Sequence, residues 1–570
     1  MKRPRWTTIA ALLAPLLVGY GYHIFAHLWG HPLAYQDDMR QHLLGLRPTA
    51  DIFGAYFSAT VPFGVRALDA VTSIFFTALD WARWAQPLLI ALWLAFGANR
   101  LATALGRERD GWILAAWLQV FVWTGDDLVS STPRAWALPF LIEILASVAG
   151  HNPARFAIGT ALAALWYPPV AVLGWCTGAG MAAWLPAEAA FGEGELRGIP
   201  TASKVTAWQR WRSGWRREFL SWMMALAVAA AALVVVAFLY GKRLEPFGPT
   251  ITKQAAIRLE EFGGAGRAAI FSDNPISSWV TNSRGGLVNR DTEIPWLILV
   301  IFCVMTFFKI PQGAARILPS FWSPTGRAAM TAWLASSMIL FVAAHALWHR
   351  LFHPSRYVQF SVTILAALLL ASLVSRWRWH AIAASLAGLF ALAVWQSRAS
   401  YDTGELAAQI QYEIGPPASA VIAAHPESNL SATPPLLFGA RSTASVELSL
   451  PYHMGFYKEA AGRIRDAFTV WYTDDPGKVL AFQHKYGVTH WILEREAWKG
   501  RDRGFRLHQP WRRLVPKRIG EIARPVLQSV HSGRDHGRPV VIKASEMTTL
   551  LRHWPRPAPV LPVPDVRLQR

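Results

Sequence analysis

Residues 218–240 read EFLSWMMALAVAAAALVVVAFLY, a run in which Glu218 is the only charge. A helix rises 1.5 Å per residue and the hydrocarbon core of a bilayer is about 30 Å thick, so about 20 such residues cross it. This stretch reads as a membrane span, and it sets the class for the chain. Similar apolar runs recur from the N-terminus to position 396. Of 570 residues, 53% are hydrophobic and only 16% charged, against about 25% charged in an ordinary soluble domain.

About eleven spans account for the pattern. They fall at 7–28, 85–104, 111–124, 135–149, 156–168, 169–185, 218–240, 294–309, 329–348, 358–374 and 381–396. The first lacks a small-residue cleavage site and reads as a signal-anchor. Between 156–168 and 169–185, the stretch WYPPV (166–170) is either a tight turn or a kink. The expected fold is an α-helical polytopic membrane protein carrying a C-terminal soluble α/β domain.

The net charge of +20 raises the question of nucleic acid. The basic residues gather instead in short loops beside apolar runs: MKRPR, NRLATALGRERDG, HNPAR, ASKVTAWQRWRSGWRREF, KIPQGAARIL and SRWRWH. That is the cytoplasmic signature of membrane topology, so no nucleic-acid partner is expected. It places the N-terminus inside and the C-terminus outside. Cys176 and Cys303 lie within apolar runs without metal-ligand spacing, and read as small buried hydrophobes.

The expected organisation is a multi-span domain over 1–396, with outer-face loops at 29–84, 125–134, 241–293 and 349–357. An extracytoplasmic α/β domain follows over 397–552, then a Pro-rich tail over 553–570. In that domain SAVIAA (418–423), VTHWIL (488–493) and PVVIKA (539–544) read as strands, and DPGKVLAFQHKYG (475–487) as a capped helix. The loop 241–293 reads as a connector, with a lid as the alternative; its Gly cluster lacks the Lys-Ser/Thr of a phosphate-cradling loop.

The polar residues of the outer loops form the candidate site. QDDMRQH (36–42) puts Asp37 and Asp38 at the start of a short amphipathic helix lying in the interface, with Arg40 and His42 following. TGDDLVSSTPR (124–134) brings Asp126, Asp127 and Arg134; HRLFHPSRY (349–357) brings Arg350, His353 and Arg356. Singly, such charges are helix-start carboxylates or snorkelling cations. As a set they suit transfer of a sugar from a polyprenyl-phosphate carrier to a hydroxyl. A carboxylate would accept the hydroxyl proton. Arg40, His42, Arg134, Arg350, His353 and Arg356 would bind substrate and the leaving phosphate. Asp126 and Asp127 would hold a divalent metal ion or orient the acceptor.

This layout resembles the GT-C superfamily of membrane glycosyltransferases, which use lipid-phosphate-linked sugars and place acidic motifs in their first two outer loops. That resemblance implies that the accepting carboxylate is Asp37 or Asp38. It is similar still to a group of uncharacterised bacterial multi-pass proteins, through QDD-RQH, STPRAWALP, HPSRYVQ, PYHMGFY and KYGVTHWILER. The resemblance implies a bacterial inner-membrane enzyme, a polyprenyl-phosphate-linked sugar and membrane lipids as partners, and an acceptor glycan, lipid or protein. Two other classes stay open. A transporter or flippase for a lipid-linked or anionic substrate would put ionisable groups inside the spans, where His345 is the obvious candidate. A non-catalytic envelope assembly protein would only display the C-terminal domain.

Overall fold

The computed structural model describes residues 16, 19–21, 23–24, 37–77, 80–124, 132–191, 216–272, 274–289, 292–307, 324–348, 351–373, 419–433, 439–517, 525–534 and 539–554. The chain divides into two compact units. The first holds 1–407 with 449–459 and 508–510, and the second the remainder.

The first unit is helical. Three short helices open it: Asp37–Leu46 (α1), Ile52–Thr60 (α2) and Phe63–Thr72 (α3). Asp51 caps α2 by accepting the Gly54 amide at 2.8 Å, the use a helix start makes of a carboxylate. Longer helices follow: Gln86–Ala104 (α4), Gly111–Thr124 (α5), Ala137–Ala149 (α6), Pro153–Trp166 (α7), Pro168–Phe191 (α8) and Arg216–Leu244 (α9). Glu293–Phe307 (α10), Pro324–Ala346 (α11) and Gln359–Leu373 (α12) complete the array.

Helix α6 is the hub. Every residue from Ala137 to Ala149 is buried, and α4, α7, α8, α11 and α12 pack around it. A helix buried on every face is held by its protein neighbours. The periphery is the opposite case. On α9 the side chains of Met224, Val228, Val234, Val235 and Phe238 are exposed, Val234 to 68%. Such a face is stable against hydrocarbon and not against water.

Four helices among the described residues are long and apolar enough to cross a membrane: Trp81–Ala104, Arg217–Phe247, Thr325–Ala346 and Pro354–Ser372. The expectation of eleven spans is therefore corrected. The physical reason lies in helices such as α6, whose 13 residues extend about 20 Å. Their apolar character satisfies protein neighbours instead of lipid. Gly111–Trp123 and Glu293–Val304 are also short apolar helices; the first is mostly buried, whereas the second exposes Ile294, Leu297, Val300 and Ile301. Span 381–396 and most of 7–28 lie outside the described residues. The WYPPV stretch is a turn: α7 ends at Trp166, Tyr167 departs from helical backbone angles, and Pro168 starts α8. Proline at a first helical position loses no hydrogen bond, which is why the chain can restart there at once.

The segment 249–292 is packed onto the protein. Phe262, Ile251, Ala256, Ala268 and Ile270 form a small core with Trp348 and Tyr452. Phe262 meets Trp348 edge-on at 5.1 Å. Cys176 is partly buried, whereas Cys303 is exposed on α10, so the expectation of burial fails for the second cysteine.

The second unit carries a four-stranded sheet in the order β2-β1-β3-β4, built from Val421–Ala423 (β1), Arg441–Ser442 (β2), His490–Leu493 (β3) and Val540–Lys543 (β4). Strand β1 runs parallel to β2 and β3, and β4 closes the edge antiparallel to β3. Met454–Trp471 (α13) begins in the first unit and continues in the second. Pro476–Tyr486 (α14) starts at the Asp475 cap and ends at Gly487, whose φ of 62° is left-handed. Val526–Ser532 (α15) and Ala544–Arg552 (α16) complete this unit.

Candidate functional site

The two acidic-loop motifs meet. Asp38, in the first turn of α1, forms an ion pair with Arg134, which sits in the 3-10 turn Pro133–Trp136 leading into α6. Both side chains are partly exposed, Asp38 by 30% and Arg134 by 16%, so the pair stands at a surface. The Asp38 carboxylate thereby reaches the start of the buried hub helix across nearly a hundred residues of sequence.

Arg40 and His42, on the same helix, are buried. Burial pushes the His42 imidazole down to about 4, so it is neutral at pH 7 and offers hydrogen bonds instead of charge. Its Nε2 has no hydrogen-bond partner among the described residues. Met39, Leu43 and Leu44 are buried as well, so α1 is held in the protein along much of its length.

Next to α1, the end of the array is tied together by polar contacts. Arg47 bonds Asp69 at 2.7 Å. Arg243, at the end of α9, donates to the carbonyls of Ser58 at 2.6 Å and Val61 at 3.2 Å. Tyr56 of α2 stacks on Phe456 with ring centroids 3.8 Å apart and planes at 6°. Its hydroxyl lies 3.0 Å from His453 Nδ1. The motif PYHMGFY, expected in the α/β domain, packs within the first unit.

The HPSR loop joins the same end. His353 is buried, and its Nε2 lies 3.0 Å from the Tyr452 hydroxyl, to which Arg284 Nη1 also donates at 3.1 Å. Arg356 donates to Gln359 Oε1 at 2.8 Å. His345 bonds the Gly285 carbonyl at 2.9 Å and stacks on Trp279 with centroids 3.9 Å apart, a satisfied structural histidine. The side chain of Asp37, the whole of Asp126 and Asp127, and Arg350 lie outside the described residues. Among the described residues, no group of three or more His, Cys, Asp or Glu is placed to hold a metal ion.

Three residues of this end escaped the sequence reading: Tyr56, Arg284 and Tyr452. Tyr56 and His453 are 397 positions apart, and no local pattern signals such a contact. Glu143 was also missed, although its place in an apolar run was visible. It is buried on α6 and bonded by Arg100 at 2.5 Å and Arg155 at 2.9 Å. Nearby in sequence, His151 pairs with Glu218 at 2.6 Å.

No protein-family model matches the chain, and no curated protein matches it. Solved structures do. The apo oligosaccharyltransferase of Archaeoglobus fulgidus aligns over 86% of this chain and 70% of its own, at 11% identity and a TM-score of 0.40. The same organism's AglB, in complex with an inhibitory peptide and a dolichol-phosphate, aligns over 85% and 69%, at 12% identity and a TM-score of 0.36. A complex of the enzyme with Zn and sulfate gives 14% identity over 85% of this chain and 67% of that one, at a TM-score of 0.37. A likeness at this level concerns the course of the chain and is no argument for a shared reaction.

Proposed function

We propose that this chain is a GT-C-like membrane glycosyltransferase, moving a sugar from a polyprenyl-phosphate carrier to a hydroxyl acceptor at a membrane–water interface. The supporting observation is the Asp38–Arg134 pair, which sets a partly exposed carboxylate beside a guanidinium at the end of the helix array. In this reading the acceptor oxygen attacks the anomeric carbon and the bond to the phosphate breaks. Asp38, or Asp37 beside it, takes the hydroxyl proton. Arg134 holds that carboxylate in place and, with Arg350 and Arg356, stabilises the departing phosphate. Arg40 and His42 support the same loop. A divalent ion at Asp126 and Asp127 belongs to the proposal, as do a bacterial inner-membrane location and an extracytoplasmic second unit.

The test uses the full chain in detergent with a short-chain polyprenyl-phosphate bearing a radiolabelled sugar. Asp38→Asn, Asp37→Asn and the double variant are compared with the parent protein. Loss of about a hundredfold or more in at least one single variant, with an unchanged melt, is expected of a general base. Full transfer in all three would end the proposal. Chelation followed by metal repletion tests the ion.

One observation favours transport instead. Glu143 is an ionisable group buried in the array, the placement that substrate or ion pathways use. Movement of a lipid-linked substrate across vesicles without covalent transfer would decide for that reading.

A further inference from the structure

A groove of about 610 Å³ opens at the C-terminal end of α9, lined by Phe238, Lys242, Glu245, Thr250 and His453 among others. Its chemistry is specified atom by atom. Tyr56 is buried, and burial holds its phenol well above the usual range, so it stays protonated. Its hydroxyl lies 3.0 Å from His453 Nδ1. With the phenol donating there, His453 carries its own hydrogen on Nε2. The polar group near Nε2 is Thr250 Oγ1 at 3.5 Å, too far for a firm bond. A buried N–H donor is thus presented at the groove beside a threonine hydroxyl.

Two opposite charges line the same groove without pairing. Lys242 lies over the Phe238 ring, its ammonium 4.7 Å from the centroid. Glu245, three residues on, has no ion-pair partner among the described residues. Glu245 stands in the 3-10 turn Glu245–Phe247 that follows α9. Arg243, between them, is turned away onto the Ser58 and Val61 carbonyls and adds no charge here. The groove therefore offers one cation, one anion and two neutral donors. Below it runs the exposed apolar face of α9, from Phe238 back through Val235, Val234 and Val228.

We propose that this groove holds a zwitterionic phospholipid of the phosphoethanolamine type. The phosphate lies against Lys242, the Thr250 hydroxyl and His453 Nε2–H, and the ammonium against Glu245, with acyl chains along α9. An anionic headgroup would leave Glu245 facing like charge. A choline headgroup has no N–H to give the carboxylate. An ammonium has three. The inference stands whether or not the chain transfers a sugar.

The experiment is native mass spectrometry of the delipidated full chain in detergent, titrated with phosphatidylethanolamine or with phosphatidylglycerol of the same acyl chains. The parent protein is expected to hold phosphatidylethanolamine about tenfold more tightly, the scale of one charge-assisted hydrogen bond. Glu245→Gln should erase that preference while keeping phosphatidylglycerol binding. Lys242→Ala should weaken both lipids about tenfold, and Thr250→Val, a near-isosteric change, both by a smaller factor. Equal retention of the two lipids by the parent protein would overturn the proposal. So would unchanged selectivity in Glu245→Gln with unchanged affinity in Thr250→Val.

Discussion

Tyr56 shows how one side chain on α2 does two separable jobs. Its ring stacks on Phe456 and meets Phe247 edge-on at 5.2 Å, while its hydroxyl holds His453. Tyr56→Phe keeps the rings and removes the hydroxyl, leaving His453 Nδ1 without this partner. The expected cost is about 1 kcal/mol. Tyr56→Ala also empties the ring site and should cost about 3–5 kcal/mol. Thermal melts of the two variants in one detergent check this. Equal losses would mean that the hydroxyl, not the stack, carries the contact. Nothing in the sequence around position 453 tells of Tyr56. The same holds for Tyr452 and His353. Motif-rich residues were legible as candidates, and their partners were not, because the contacts are long-range.

At the scale of elements, the second unit follows its local signals. Asp475 caps α14 by accepting the Gly477 amide at 2.8 Å, and Gly487 ends the helix in the left-handed region that glycine adopts without strain. What the strand pattern did not show is Glu494, the residue after β3. It is fully enclosed, and burial pushes its carboxyl from 4.5 up to about 7, with Ser428 bonding it in the opposing sense. Because the folded value is raised, the folded state keeps the proton that the unfolded chain sheds. Stability contributed at this site is whole below about pH 4.5, falls as pH rises, and is lost by about pH 7, a total of about 3 kcal/mol. Hydrogen exchange of the β3 amides in the full chain should therefore show weaker protection at pH 7.5 than at pH 5.5, once intrinsic exchange is allowed for. In Glu494→Gln that slope should vanish. A parent protein with equal protection at both pH values would show that Glu494 ionises freely.

For the whole molecule, the solvent decides what each helix surface requires. Helix α6 is apolar because protein surrounds it; α9 is apolar because its exposed face needs hydrocarbon. The two look alike in hydropathy, so counting apolar runs gave eleven spans where four helices among the described residues are long and apolar enough to cross. A charge tells them apart. Val234→Arg places a guanidinium on the exposed face of α9 at mid-helix, where about 3 kcal/mol is the cost of membrane insertion. A glycosylation-mapping assay should show reduced integration of that span, whereas Val234→Ala should insert as the parent does. Undiminished insertion of the arginine variant would mean that this face meets water or protein.

The sequence by itself determined the membrane class, the helical start of α1, the cap-to-cap extent of α14 and three of the second unit's four strands. Each of these follows from composition or from periodicity within one turn or one strand, where physical chemistry is local. Only the tertiary structure decided which apolar helices are core and which expose an apolar face, that Asp38 meets Arg134, that PYHMGFY packs against α2, and that Glu143 is buried between two arginines. Those outcomes depend on which surfaces come together across hundreds of residues. A hydropathy pattern records that a surface avoids water, and leaves open what it meets instead.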